Sequence, residues 1–110
     1  MNFSGKTAVV TGGSRGIGRA ICLKLAAGGA HVVLCYAGNE DAARETAAEC
    51  EKLGAKALAV RCNVTDSAQV QALMDTAVKT FGGIHILINN AGITRDQLMM
   101  MMKEEAFDEV

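Results

Sequence analysis

Apolar and polar positions along this chain alternate between two periods. Short, nearly continuous apolar runs mark strands buried on both faces, and longer stretches with apolar residues three or four apart mark the helices that cover them. Thr7 to Thr11 is the first run. From about Gly16 to Ala27, Ile17, Ile21 and Leu25 share one helical stripe, and Gly28-Gly29 ends the helix. His31 to Tyr36, with Val32, Val33, Leu34 and Cys35 inside, is a second buried strand. Asn39 is placed to cap the next helix, and Glu40 and Asp41 suit the positive end of its dipole. Ala43, Ala47, Cys50 and Leu53 mark its inner face, and Gly54 closes it. Ala57 to Asn63 is a third strand. Asp66, followed three residues later by Gln69, forms a helix-start signature. Val70, Leu73, Met74, Ala77, Val78 and Phe81 then give the clearest amphipathic stripe in the chain, stopped by Gly82-Gly83. Ile84 to Asn90 is a fourth strand, and a Met-rich helical stretch begins after Thr94.

The order β-α-β-α-β-α-β with short connections requires right-handed crossovers, and hence a doubly wound parallel sheet with helices on both faces. No linker, repeat or low-complexity segment divides residues 1–110, so the pattern is that of one domain. Half the residues are hydrophobic but only 4% are aromatic, so Ala, Val, Leu, Ile and Met must fill the core. That suits buried parallel strands and excludes disorder. The net charge is -1 with no basic run, so nothing favours nucleic acid or an anionic membrane surface. The opening Met-Asn-Phe-Ser-Gly-Lys lacks the shape of a signal peptide, and no apolar stretch approaches the length of a membrane span. Among Cys22, Cys35, Cys50 and Cys62 there is no C-x-x-C pair. The expectation is buried, reduced thiols in a cytoplasmic protein.

Candidate chemistry concentrates in residues 11 to 18, Thr-Gly-Gly-Ser-Arg-Gly-Ile-Gly, between the first strand and the first helix. Glycines permit backbone angles and close approaches that side chains block. The helix opening behind them aims free N–H groups and a positive dipole end at whatever docks there, so an anion is the natural guest, and a dinucleotide pyrophosphate the usual one. The spacing Gly12-x-x-x-Gly16-x-Gly18 is one residue longer than the common dinucleotide fingerprint, and on glycines alone a plain tight turn stays open as a reading.

Asn89-Asn90-Ala91-Gly92, ending the fourth strand, adds a second motif. Together with Thr11-Gly12, Gly16 and Gly18 it resembles the short-chain dehydrogenase/reductase family, whose N-terminal signatures are T-G-x-x-x-G-x-G and N-N-A-G. The detail Gly-Gly-Ser-Arg-Gly-Ile-Gly-Arg-Ala-Ile, Cys-Asn-Val-Thr-Asp and Asn-Asn-Ala-Gly-Ile-Thr-Arg-Asp is most similar to bacterial 3-oxoacyl-(acyl-carrier-protein) reductases. The resemblance covers essentially the whole chain and corresponds to the cofactor-binding part of a family member. It implies a truncated Rossmann-type sheet of about four strands in the order 3-2-1-4. It also implies that Gly12, Gly16 and Gly18 shape the turn under the pyrophosphate, with the Ile17 N–H near a phosphate. By the same resemblance Asn63 and Val64 flank the adenine, and Asn90, Ala91 and Gly92 lie along the nicotinamide-side ribose, with the Asn90 side chain also bracing the sheet.

An NAD-type site places a carboxylate near the end of the second strand, yet this end reads Tyr36-Ala37-Gly38-Asn39. Arg15, beside Ser14, offers a guanidinium for a 2′-phosphate. Both point to NADP(H), although Asp41 stands near enough to reach back. Asn63 occupies a place where relatives carry Asp. Its carbonyl is expected to accept from the adenine amino group, with weakened binding. His85, also where relatives tend to have Asp, is expected to be structural.

The family reduces a carbonyl with hydride from the nicotinamide and a proton from a tyrosine, whose pKa is lowered by a lysine four residues on; a serine orients the substrate. Here Tyr36 is the only tyrosine and Glu40 stands four places later. Ser4, Ser14 and Ser67 fall at the N-terminus, in the glycine loop and at a helix start, so none fits the serine role. The 110 residues alone are therefore expected to bind cofactor without reducing an acyl-carrier-protein thioester. A solvated helix face accounts for the charged stretch Asp96 to Glu109, and a packing edge for the run Leu98 to Met102. The missing remainder is expected to leave Ile86, Leu87 and Ile88 as an exposed apolar edge that favours self-association. A non-catalytic dinucleotide-binding or interaction module is the alternative. A methyltransferase and a receiver domain fit poorly, because the strand ends lack the acidic residues each needs.

Overall fold

The computed structural model describes residues 2–13 and 16–90. Seven elements follow in the order β1 (Thr7–Thr11), α1 (Gly16–Ala27), β2 (His31–Tyr36), α2 (Glu40–Lys52), β3 (Ala57–Arg61), α3 (Ser67–Phe81) and β4 (Ile86–Asn89). The strands pair in the order β3-β2-β1-β4, all parallel. This is the Rossmann-type doubly wound sheet, with every strand presenting its C-terminal end at the same edge. β3 and β4 are shorter than the apolar runs implied, although Cys62 and Ile84 just beyond them are buried and the Cys62 N–H still donates to the Tyr36 carbonyl at 2.8 Å.

The helix boundaries follow local chemistry. The Asn39 side chain accepts from the Ala42 N–H at the start of α2. The Asp66 carboxylate accepts from the N–H groups of Ala68 and Gln69 at the start of α3, satisfying donors that the helix leaves unpaired. Gly82, at φ 87°, takes the left-handed conformation that ends α3.

Two cores flank the sheet. On one face α1 and α2 bury Ala8, Val10, Cys22, Ala26, Val32, Leu34, Ala43 and Cys50. On the other, α3 buries Val9, Val33, Val70, Leu73, Met74 and Leu87. The α3 stripe runs as its periodicity predicts, with Val78 and Phe81 partly buried. The α1 stripe does so only in part, with Leu25 buried and Ile21 packed against the core but Ile17 turned out. Gly18, Cys22, Leu25 and Ala26 face the sheet, and Ile17 is 73% exposed. Only Gly18 is small enough for the contact that α1 makes with the β1 turn, so the helix is rotated to put Gly18, and not Ile17, inward. On α2 the expected Leu53 is 50% exposed at the C-cap, while Thr46 is fully buried.

The expected exposed edge is corrected as well. β4 is an edge strand of the described sheet, but Ile86 and Leu87 are only 6% and 8% exposed and pack into the two cores. Ile88 is half-buried. The stretch after Thr94, with its Met run and charged residues, lies outside the described residues.

Candidate functional site

The C-terminal edge of the sheet collects the strand ends at Thr11, Tyr36, Arg61 and Asn89. Directly beyond β1, Gly12 turns at φ 69°, and Gly16, at φ 64°, opens α1. Both angles lie in the left-handed region that suits glycine. The Gly12 carbonyl then meets the first turn of α1. A Cβ built on Gly18 would stand 2.0 Å from that oxygen, a distance no side chain tolerates. Above Gly16 the space is open among the described residues, with none of their atoms within 4 Å of a built Cβ beyond its chain neighbours. The geometry is thus tight where the helix meets the turn and open where a ligand would approach.

Electrostatics favour an anion there. The first N–H groups of an α-helix have no intrahelical acceptor, and α1 carries no acidic residue in its first turn. Arg19, one residue past Gly18, is committed elsewhere. Its guanidinium donates to Thr46 Oγ1 at 3.2 Å and pairs with Glu49, tying α1 to α2. The sequence pattern gave no hint of this clamp, because a 27-residue separation leaves no local signal.

Asn90 braces the turn as expected. Its Nδ2 donates to the Gly12 carbonyl at 3.3 Å. Thr11, fully buried, donates through Oγ1 toward Ile88 O and Asn89 Oδ1 at 3.4 Å. Gly13 N donates to the Cys35 carbonyl at 3.3 Å, so the glycine turn is anchored to β4 and β2.

At the end of β2 the Tyr36 hydroxyl donates to Glu40 Oε1 at 3.3 Å, and the other Glu40 oxygen pairs with Arg44 at 2.9 Å. A carboxylate therefore does sit near this strand end, contributed from the first turn of α2. Asp41 makes no hydrogen bond or ion pair among the described residues.

Asn63 has local partners of its own. Its Oδ1 accepts from the Thr65 N–H at 3.0 Å and from the Thr65 hydroxyl at 2.7 Å. The oxygen expected to accept from adenine is already saturated within its own turn. Its Nδ2 makes no hydrogen bond among the described residues and remains as a donor. The Asn63 N–H donates to Gln69 Oε1 at 2.8 Å, which ties the loop to the start of α3. Val64 follows in that loop, packed against the α3-side core. Ser14, Arg15, Ala91 and Gly92 lie outside the described residues.

The remaining candidates are structural. His85 accepts at Nδ1 from the Thr7 N–H at 3.0 Å, and its backbone N–H donates to the Thr7 carbonyl at 2.9 Å, at the sheet edge opposite the glycine turn. All four cysteines are buried free thiols. Burial pushes the Cys22 thiol up to about 12, helped by Cys50 and Cys35. Burial likewise pushes Cys62 up to about 11, with Cys35 beside it adding to the rise. Neutral, buried thiols are poor nucleophiles and poor metal ligands. No cluster of metal-ligating side chains occurs among the described residues, and none of their helices is long and apolar enough to cross a membrane.

Comparison with known proteins bears on this edge. The short chain dehydrogenase family model matches residues 6–110. The chain is 46% identical over 105 residues to a 3-oxoacyl-(acyl-carrier-protein) reductase of Staphylococcus aureus, covering 96% of this chain and 43% of the relative. It is also 46% identical over 110 residues to the Escherichia coli enzyme of that name, covering 100% and 43%. The chain thus spans less than half the length of these relatives. Among solved structures it is similar to a Burkholderia cenocepacia short chain dehydrogenase in complex with NADP, at TM-score 0.81 and 44% identity, covering 86% of this chain and 39% of that one. It is similar also to a Burkholderia phymatum short chain dehydrogenase/reductase in complex with NAD, at TM-score 0.73 and 41% identity, covering 79% and 31%.

Proposed function

The chain belongs to the short-chain dehydrogenase family, and we propose that it binds NADP(H) across the C-terminal ends of its strands, as the cofactor-binding part of a reductase acting on 3-oxoacyl thioesters. The observation that carries this reading is the cradle at Gly12, Gly16 and Gly18. Among the described residues its main chain closes on itself at Gly18 and stays open above Gly16, at the start of a helix with no acidic residue in its first turn. In this reading the N–H groups around Gly16, Ile17 and Gly18 hold the pyrophosphate, and Ser14 and Arg15 take the 2′-phosphate. Tyr36 borders the adenosine, Asn63 and Val64 flank the adenine, and Asn90, Ala91 and Gly92 line the nicotinamide-side ribose. Asn63 donates to a ring nitrogen through Nδ2, since its carbonyl is occupied by Thr65.

The nicotinamide supplies a hydride when bound. The residues of this chain bind and orient it, and the side chain of Asn90 fixes the Gly12 carbonyl so that the adjoining amides point outward. Residues 1–110 hold no Tyr-x-x-x-Lys segment, so they contribute no proton donor of the family type. The relatives' names supply a 3-oxoacyl carrier-protein thioester as substrate, and we place the whole protein in fatty acid synthesis in the cytoplasm. A second reading is a dinucleotide-binding or interaction module without turnover.

Titration with NADPH, followed by amide NMR, tests the binding. Shifts confined to Gly12–Gly18, Asn63–Val64 and Asn90–Gly92 are expected, and an unmoved glycine turn in folded protein would overturn the proposal. Adding an acetoacetyl thioester and following NADPH absorbance tests for turnover. The 110 residues alone are expected to give no consumption.

A further inference from the structure

We propose that Arg61 is a further specificity-determining residue, a guanidinium at the end of β3 that pairs with the 2′-phosphate and separates NADP(H) from NAD(H). The inference rests on the dinucleotide reading above and adds to it a residue on a different strand. Similar backbones in the family hold either coenzyme, one neighbour being a complex with NADP and another with NAD. The choice must therefore lie in side chains at the adenosine end.

Register places Arg61 there. Arg61 is the last residue of β3 and the in-register neighbour of Tyr36, the last residue of β2. Alternation fixes its side: Ala57 and Ala59 pack toward α1 and α2, whereas Leu58 and Val60 pack toward α3. Arg61 therefore shares the α1/α2 side with Tyr36, which belongs to that core. This is the strand end where an NAD-type site holds a carboxylate for the ribose hydroxyls.

The charged groups at that end leave Arg61 available. Glu40, tethered by the Tyr36 hydroxyl, and Asp41 beside it are the negative groups, and Arg44 already pairs with Glu40. Arg61 is exposed, and its side chain makes no ion pair or hydrogen bond among the described residues. Its guanidinium is thus free to meet an incoming anion beside Tyr36. A solvated surface arginine is the ordinary fate of such a side chain, but this one ends a strand at the ligand edge. Its planar fork matches a phosphate bidentately, and it has nothing to offer a neutral ribose hydroxyl of comparable strength.

Fluorescence titrations of the chain with NADPH and with NADH decide the matter, with circular dichroism verifying the fold of each variant. Arg61→Gln is expected to weaken NADPH about five- to tenfold and to leave NADH within about twofold, as the loss of one partly screened charge pair implies. Arg61→Lys should recover part of the loss, and Glu40→Gln should tighten NADPH about two- to fivefold by removing the opposing charge. The salt dependence of NADPH binding should shrink in Arg61→Gln. If that folded variant shifts both coenzymes equally, or neither, while the unaltered chain binds NADPH, the role of Arg61 is refuted and the dinucleotide reading survives. If the unaltered chain binds neither coenzyme, the dinucleotide reading itself fails and takes this inference with it.

Discussion

The two faces of the sheet are built on different scales. Toward α1 and α2 the core is made of Ala8, Ala26, Ala30, Ala43, Ala47, Cys22 and Cys50 between the strand valines and leucines. Toward α3 it is made of Val70, Leu73, Met74, Ile84 and Leu87. Small residues let main chain approach main chain, and that is how α1 reaches the Gly12 carbonyl. Large residues fill volume and contribute stability through buried area. One face therefore makes a ligand cradle from backbone, and the other holds the sheet together. The first should be sensitive to added atoms and the second to removed ones.

Gly18→Ala is the sharpest test of that division. The new Cβ would sit 2.0 Å from Gly12 O, 2.8 Å from Gly12 C and 2.9 Å from Asn90 Nδ2, so the Gly12 main chain and the Asn90 side chain have to move. A loss of about 3 kcal/mol in stability is expected, together with at least a hundredfold loss of NADPH affinity in whatever remains folded. Denaturant titration and coenzyme titration on the same sample measure the two. Retention of affinity within threefold would show that the cradle is not made by this contact.

Met74→Ala makes the opposite change on the opposite face. Met74 is fully buried against α3's side of the sheet, and its truncation should cost about 2–5 kcal/mol through lost transfer energy and a residual cavity. Coenzyme affinity of the folded fraction should stay within about twofold. If affinity falls as far as in Gly18→Ala, the two faces are not independent and the comparison breaks.

This difference in scale also explains what the sequence made legible. Hydrophobic spacing identified α3 down to its cap and its stop, because Val70, Leu73, Met74 and Ala77 are buried for their own apolar area. The same rule placed Ile21 and Leu25 of α1 correctly but misread its start. It chose Ile17 because isoleucine is hydrophobic, whereas the structure turns Gly18 inward because only glycine fits. A pattern of hydrophobicity cannot see a position selected for absence of volume. The glycine turn and the Asn90 brace were legible because motif and strand end coincide in the chain. Arg19 to Glu49, Tyr36 to Glu40 and the saturated carbonyl of Asn63 were not, since each depends on where side chains meet after folding.

A thiol on each face extends the comparison to pH. Cys22, toward α1 and α2, is pushed up to about 12, and Cys62, toward α3, to about 11, in both cases first by burial. In the unfolded chain both return to the ordinary value of 9.0. The folded state then binds more protons than the unfolded state only above that value. Stability should be unaffected by these groups below about pH 9 and should fall as pH rises toward 11 and 12, by at most about 1.4 kcal/mol per pH unit for each thiol. Thermal melts between pH 8 and 10.5 measure the slope. Cys22→Ala should remove one share of it, and an unchanged slope in that variant would assign the alkaline loss to other groups.

The smallest expected change in stability comes from Asn90→Ala, and it separates bracing from packing most cleanly. The Asn90 amide donates one long bond, 3.3 Å, to a carbonyl that solvent can otherwise serve. Its loss should therefore cost no more than about 1 kcal/mol. The same bond fixes the plane of the peptide that follows Gly12, and with it the direction of the amides that face an incoming pyrophosphate. Ligand affinity should accordingly drop about three- to tenfold, more than the stability change alone would produce in a protein that stays folded at the temperature of measurement. Asn90→Asp adds an oxygen where the Gly12 oxygen already points, and the repulsion should make that variant weaker in binding than Asn90→Ala. Equal affinity for all three proteins would mean that the glycine turn holds its shape without β4. The cradle would then belong to the α1/α2 face alone.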